Sequence, residues 1–114
     1  MKTADLLFEN RRYDVSLFFC HLALEKLLKG LIVKRNKKPA PYIHDLAELA
    51  NSAKIKISDE EIRDFGTIST FNIAGRYDSI KLQFHKRCTK QYAREQMARA
   101  RNIYLWLGKE YRKK

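Results

Sequence analysis

Residues 13–35 read YDVSLFFCHLALEKLLKGLIVKR, and the arrangement of polar side chains in this stretch decides the fold. When the stretch is projected as a helix at about 100° per residue, apolar side chains cover well over half of its circumference. A surface helix has one apolar face, whereas a helix that is apolar almost all round is enclosed by neighbours on several sides. We therefore predict that this helix lies at the centre of a helical bundle.

Three polar residues of this helix, His21, Glu25 and Lys29, are spaced four apart and fall on one narrow stripe. Glu25 precedes Lys29 in the order that favours an ion pair between side chains one turn apart. The stripe either lines a ligand cleft or forms a buried polar network that fixes helix register or a dimer interface. Because a buried charge is costly unless it is paired, the network interpretation requires close partners.

Helical spacing continues on both sides of the central helix. A basic loop with two prolines, residues 34–41, ends that helix because proline cannot continue it. Ser58 and Glu61 match a capping box, which marks the start of a later helix that ends near Phe71. The stretch 72–88 is the least regular part of the chain, and Gly75 breaks helical spacing there. Helices are expected at residues 2–10, 13–35, 44–53, 59–71 and 89–111.

These elements predict an all-α fold in which four to five antiparallel helices form an up-and-down bundle. Short connections favour antiparallel neighbours, and residues 1–114 are enough for one domain with a core of its own. The central and last helices carry more apolar surface than a monomeric bundle readily covers. We therefore expect a homodimer.

The charge balance favours an anionic partner. The chain has 24 Lys and Arg against 13 Asp and Glu, a net charge of +11, which suits a nucleic acid, a nucleotide or an acidic protein. A basic surface that only keeps the protein in solution would have the same composition. Two cysteines are too few for a disulfide framework, and acidic residues interrupt the N-terminal segment, so a cytoplasmic protein without a membrane span is expected. The histidines and cysteines show no metal-ligand spacing, and no metal or cofactor is predicted.

Three motifs of the chain occur in the same order in one known family of helical domains. Tyr13-Asp14, Ala23 and Glu25-Lys26 resemble the family's central "YD…A…EKALKA" helix. His44-Asp45-Leu46 resembles its "HDL..L" element, and Arg76-Tyr77-Asp78 resembles its "RYPD" turn without the proline. In these motifs the chain resembles the HEPN (higher eukaryotes and prokaryotes nucleotide-binding) domain family over nearly its whole length and in the right order.

The resemblance implies an all-α bundle that is usually homodimeric and often encoded beside a minimal nucleotidyltransferase, with which it forms a toxin–antitoxin pair. Some members are ribonucleases whose active site joins an Arg to a His a few residues later, across the dimer. In this chain the first His after Arg76 is His85, and the eight residues between them exceed the family's spacing. Arg76 and His85 are therefore catalytic candidates that depart from the ribonuclease pattern.

The candidate binding residues follow the central helix. Arg76 would contact an anion and Tyr77 would stack on a base or use its hydroxyl, whereas the alternative is a turn in which Arg76 pairs with Glu25 or Asp78. His44 and Asp45 form either a helix-start pair or a catalytic pair. Four further cations would hold phosphate or form a solvated rim, and three of them would share one stripe if the last helix began early enough. These cations are Lys86, Arg87, Lys90 and Arg94, and the stripe would comprise Lys86, Lys90 and Arg94.

Three functions fit these features. Our prediction is a non-catalytic nucleotide- or RNA-binding module that acts with a nucleotidyltransferase partner. The first alternative is a ribonuclease toxin that uses Arg76 and His85. The second is a structural interaction module whose basic surface binds an acidic protein partner.

Overall fold

The helix that decides the fold, α2 (Tyr13–Asn36), lies among the other helices in a computed structural model that describes residues 1–74 and 76–113. It packs most extensively against the last helix and then against the first and third. Leu17, Leu24, Leu28 and Leu31 are fully buried, which confirms the central position that the sequence predicts. The described residues form six helices and no strand: α1 (Lys2–Glu9), α2 (Tyr13–Asn36), α3 (Leu46–Ser52), α4 (Asp59–Ser69), α5 (Asp78–Arg87) and α6 (Lys90–Arg112).

Most helix boundaries agree with the sequence because capping residues fix them. The Ser58 hydroxyl accepts a hydrogen bond from the Glu61 N–H, and the Glu61 carboxylate accepts one from the Ser58 N–H, which completes the predicted capping box of α4. α3 begins two residues later than predicted because the Asp45 side chain caps it by accepting a hydrogen bond from the Glu48 N–H. Thr89 caps α6 in the same way.

The helix α5 was not predicted. With it, the described residues form six helices, whereas four to five were expected. It lies inside the stretch 72–88, where Phe84 is its one buried residue. The predicted helix break at Gly75 lies outside the described residues. The connection between α5 and α6 passes through Cys88, whose backbone leaves the helical region. The expectation of one stripe is therefore wrong, because Lys86 lies on α5 while Lys90 and Arg94 lie on α6.

Three helix ends carry a basic residue in the left-handed backbone region. Arg11, Lys37 and Lys54 have φ values of 61°, 57° and 60°. After α3, the Ile55 N–H donates to the Ala50 carbonyl, the hydrogen bond that closes this kind of helix end. Glycine adopts this conformation without steric cost, whereas lysine and arginine do not. The hydrogen bonds at these helix ends must therefore offset the cost.

None of the helices within residues 1–74 and 76–113 has the length and apolarity needed to cross a membrane.

Candidate functional site

The polar stripe of α2 meets a fourth residue, His44, which comes from the loop before α3. His44 Nδ1 lies 2.9 Å from Glu25 Oε1, and Lys29 Nζ lies 3.2 Å from Glu25 Oε2. His21 Nε2 lies 3.0 Å from the His44 carbonyl oxygen and 3.6 Å from Glu25 Oε1. The loop that follows the prolines is thus held to the central helix through both the side chain and the backbone of His44.

The protonation states of this cluster follow from burial and hydrogen bonding. Burial raises the pKa of Glu25, but the hydrogen bonds from His44 and Lys29 outweigh it, so the net pKa is below the ordinary value. Because Glu25 is ionised, His44 Nδ1 must donate to it, which leaves Nε2 of His44 as the nitrogen without a proton in the neutral ring. Burial lowers the pKa of His21, which is fully enclosed, so this imidazole is neutral. Its Nε2 donates to the His44 carbonyl, and its Nδ1 has no hydrogen-bond partner among the described residues.

His44 also faces a shallow pocket, with a volume of about 300 Å³, where the start of α3 meets the end of α4. Arg76 follows α4 in the sequence, whereas His44 precedes α3, but both residues line the same pocket. Its Nε donates to the Asn72 carbonyl at 3.4 Å, and no ion pair among the described residues joins it to Glu25 or Asp78. The pocket is lined by His44, Asp45, Gly66, Ser69, Thr70, Asn72 and Arg76.

The two catalytic candidates of the ribonuclease hypothesis lie at opposite ends of α5. Arg76 precedes the helix and His85 lies in its last turn, so roughly 10 Å of helix axis separates them. His85 Nδ1 lies 3.1 Å from Asp14 Oδ2 at the start of α2. Within one chain, Arg76 and His85 therefore contact different neighbours.

A cationic surface lies where α5 ends and α6 begins. Lys86, Arg87, Lys90 and Arg94 are all exposed, and none of them takes part in an ion pair within residues 1–74 and 76–113. Three other arginines, Arg35, Arg99 and Arg101, are each paired with a carboxylate. We call the four residues the α5–α6 cationic patch. Tyr77, 81% exposed, precedes α5 at its other end.

A second, mainly apolar groove of about 560 Å³ lies between α1, α2 and α6. Leu22 and Leu27 of α2 are only half-buried there, and the exposed Lys26 lies on the same flank. The flank of the central helix that the sequence predicts to be covered by a neighbour is thus covered only in part by α1 and α6.

The sequence places His21, Glu25 and Lys29 on one stripe, but it did not identify His44 as their partner. It also did not group His44 with Arg76, because a loop and a turn approach each other there only in the folded chain. Among the described residues there is no group of three or more His, Cys, Asp or Glu side chains that could hold a metal ion.

The comparison with protein families gives one match. The HEPN domain model matches residues 1–111, while no curated protein and no solved structure matches the chain. HEPN domains are all-α, often dimerise and bind RNA, so the match supports a nucleotide- or RNA-related module. Since the family model covers nearly the whole chain and the described residues form helices around a central α2, the protein belongs to the HEPN domain family.

Proposed function

We propose that this HEPN domain is a non-catalytic module that binds RNA or nucleotides and acts as a homodimer with a minimal nucleotidyltransferase partner. The observation that carries the proposal is the α5–α6 cationic patch, whose four side chains are exposed and have no carboxylate partner among the described residues. Cations that are already paired would have to break an ion pair before they bound phosphate. These four do not.

The patch has the chemistry of a phosphate-backbone contact. Lys90 and Arg94 are one helical turn apart on α6, and Lys86 and Arg87 end the neighbouring α5. Binding to phosphates releases condensed counterions, so the affinity must fall steeply as salt increases. Tyr77 adds an exposed aromatic ring of the kind that stacks on unpaired bases.

The homodimer is supported by the half-covered flank of α2. Leu22, Leu27 and the groove between α1 and α6 offer apolar surface that a second copy would bury. Light scattering should give twice the mass of the chain. A single-chain mass over a wide range of concentrations would contradict the dimer.

The nucleotidyltransferase partner is proposed from the family resemblance. Co-expression with a nucleotidyltransferase encoded beside this chain should yield a complex that survives size-exclusion chromatography. Separate elution of the two proteins would remove this part of the proposal.

One observation favours the ribonuclease as a second candidate. The Asp14 carboxylate lies 3.1 Å from His85 Nδ1 and would hold the ring so that Nε2 is available as a general base. Arg76 would then have to come from a second chain, because in its own chain it lies at the other end of α5. RNA cleavage by the purified protein that disappears in His85→Ala would select this candidate.

The decisive experiment measures the affinity for single-stranded RNA by fluorescence anisotropy at several salt concentrations. Lys90→Glu/Arg94→Glu should weaken binding and lower the slope of log affinity against log salt by about 1.4, since each lost phosphate contact accounts for about 0.7. Both positions are exposed near a helix N-terminus, where acidic residues are tolerated, so stability should hardly change.

The matched control is Lys56→Glu/Lys109→Glu, which changes the net charge equally at exposed positions outside the patch. It should keep most of the affinity and the slope. If both double variants behave alike, binding follows net charge and the patch is not a site. If neither variant nor wild type binds RNA but an acidic protein is captured, the structural interaction module replaces the proposal.

A further inference from the structure

We infer that the pocket between α3 and α4 binds a phosphate monoester, which is held by the imidazole of His44 and the guanidinium of Arg76. The inference rests on the proposed function for the class of ligand, but it concerns a site separate from the α5–α6 cationic patch. Its first support is the pocket itself, about 300 Å³ in volume, which both residues line. That volume lies at the lower end of the range for small-molecule sites.

The second support is the way in which His44 is held. The Glu25 side chain, only 10% exposed, binds His44 Nδ1 at 2.9 Å, and Lys29 neutralises the other carboxylate oxygen at 3.2 Å. His21 binds the His44 carbonyl from the same helix at 3.0 Å. The ring is thus oriented from the buried side, while about half of the His44 side chain remains exposed. A ring that is positioned before a ligand arrives loses little conformational entropy on binding.

The third support is the complementary chemistry of the other lining groups. The guanidinium of Arg76 has no carboxylate partner among the described residues and can bind two phosphate oxygens side by side. Ser69 Oγ accepts the Leu46 N–H at 3.0 Å, which leaves its own O–H free to donate into the pocket. Among the described residues that line the pocket, Asp45 is the one carboxylate, and one of its oxygens is occupied in capping α3. Nε2 of His44 can share a proton with a phosphate oxygen.

Tyr42 gives the site a preference for a nucleotide over free phosphate. Its ring is 92% exposed and lies 5.8 Å from the His44 ring, measured between centroids. Lys29 Nζ lies 5.7 Å from the Tyr42 centroid and contributes a cation–π contact that steadies the ring. An exposed, steadied aromatic ring beside a phosphate site is a stacking surface for a base.

The test is calorimetric titration of the full chain with adenosine 5′-monophosphate and, separately, with inorganic phosphate. Binding should be tighter for the nucleotide, and Tyr42→Ala should remove that difference. His44→Asn keeps an amide donor close to the position of Nδ1, and therefore the contact with Glu25, but lacks Nε2. It should weaken both ligands about tenfold or more, and Arg76→Gln should do the same.

The matched control is Arg63→Gln, which makes the same change as Arg76→Gln at an exposed arginine that does not line the pocket. It should leave both affinities unchanged. A long-range proton–nitrogen spectrum gives an independent readout, because added phosphate should shift the Nε2 signal of His44 and Arg76→Gln should abolish that shift.

The outcomes separate this inference from the proposed function. Unchanged affinity in both His44→Asn and Arg76→Gln, or no binding of either ligand to the wild type, overturns the pocket whatever Lys90→Glu/Arg94→Glu does to RNA binding. Loss of nucleotide binding in the pocket variants supports the pocket even if the double variant leaves RNA binding intact, in which case the proposed function fails. Binding of phosphate as tight as that of the nucleotide supports the phosphate site and overturns the base contact of Tyr42.

Discussion

His21→Gln should make the stability of this domain less sensitive to acid. His21 is fully buried, and burial lowers its pKa below 6.5 despite the hydrogen bond to the His44 carbonyl and the nearby charge of Glu25. The neighbouring His44 and Lys29 lower the pKa further. Below pH 6.5 the unfolded chain therefore binds a proton at residue 21 that the folded chain does not bind, so stability falls as the pH falls.

The magnitude follows from the slope of this linkage. A difference of one bound proton changes the free energy of unfolding by about 1.4 kcal/mol per pH unit, so His21 alone can remove at most about 2 kcal/mol between about pH 6.5 and pH 5. The loss ends once the pH falls below the folded pKa. In the Gln variant, the side-chain amide can donate to the His44 carbonyl from nearly the same position but does not titrate in this range.

Urea unfolding followed by far-UV circular dichroism at several pH values measures this effect. Wild type should lose more stability than His21→Gln between about pH 7 and about pH 5, by up to about 2 kcal/mol. Glu25 has the same sign of effect in both proteins but acts below this range, because its pKa is lowered from 4.5 and its stabilisation is lost only as the pH falls toward the folded pKa. His85→Gln removes an exposed histidine and serves as the control. Parallel curves for wild type and His21→Gln would refute the assignment of His21 as a buried neutral ring.

Three further predictions concern stability. Leu28→Asp should abolish the helical circular dichroism signal, since Leu28 is fully buried in α2 and the new charge would have no partner; a folded variant would contradict the central position of α2. Lys37→Gly should raise the melting temperature by about 4 °C by relieving about 1 kcal/mol of left-handed strain. Lys38→Gly, where the backbone is not left-handed, should not, and equal effects would show that strain at residue 37 is not the cause. Ser58→Ala should cost about 1 kcal/mol in urea unfolding through loss of the α4 capping box, and no loss would mean that the box does not hold the helix end.

The elements that the sequence predicted are those whose signals are local. α2 and α6 follow from long apolar patterns, and the start of α4 follows from Ser58 and Glu61, which lie three residues apart. α5 has no such signal. Its apolar residues Ile80, Leu82 and Phe84 alternate with polar ones, a spacing typical of a strand rather than a helix.

The structure explains why α5 is helical in spite of that alternation. Phe84 alone is buried and packs against Phe71, with 5.6 Å between the ring centroids, while Ile80 and Leu82 stay largely exposed. One buried side chain cannot create a periodic apolar pattern in the sequence of a helix. The position of the α5–α6 cationic patch depends on the break between α5 and α6. Because the sequence does not reveal α5, it does not predict this position in detail.

His44 shows where reasoning from the sequence could have gone further. Helix geometry alone places His21, Glu25 and Lys29 on one stripe, but the approach of His44 depends on the path of a proline-containing loop. An enclosed carboxylate needs more than one donor, and Lys29 supplies only one of them. Glu25 therefore needs a second hydrogen-bond donor. His21, one turn away on the same helix, does not fill this role because its Nε2 donates to the His44 carbonyl. His44 meets this requirement with two nitrogens, one for the buried carboxylate and one for the surface, which is why the contact that stabilises the loop can also orient a binding group.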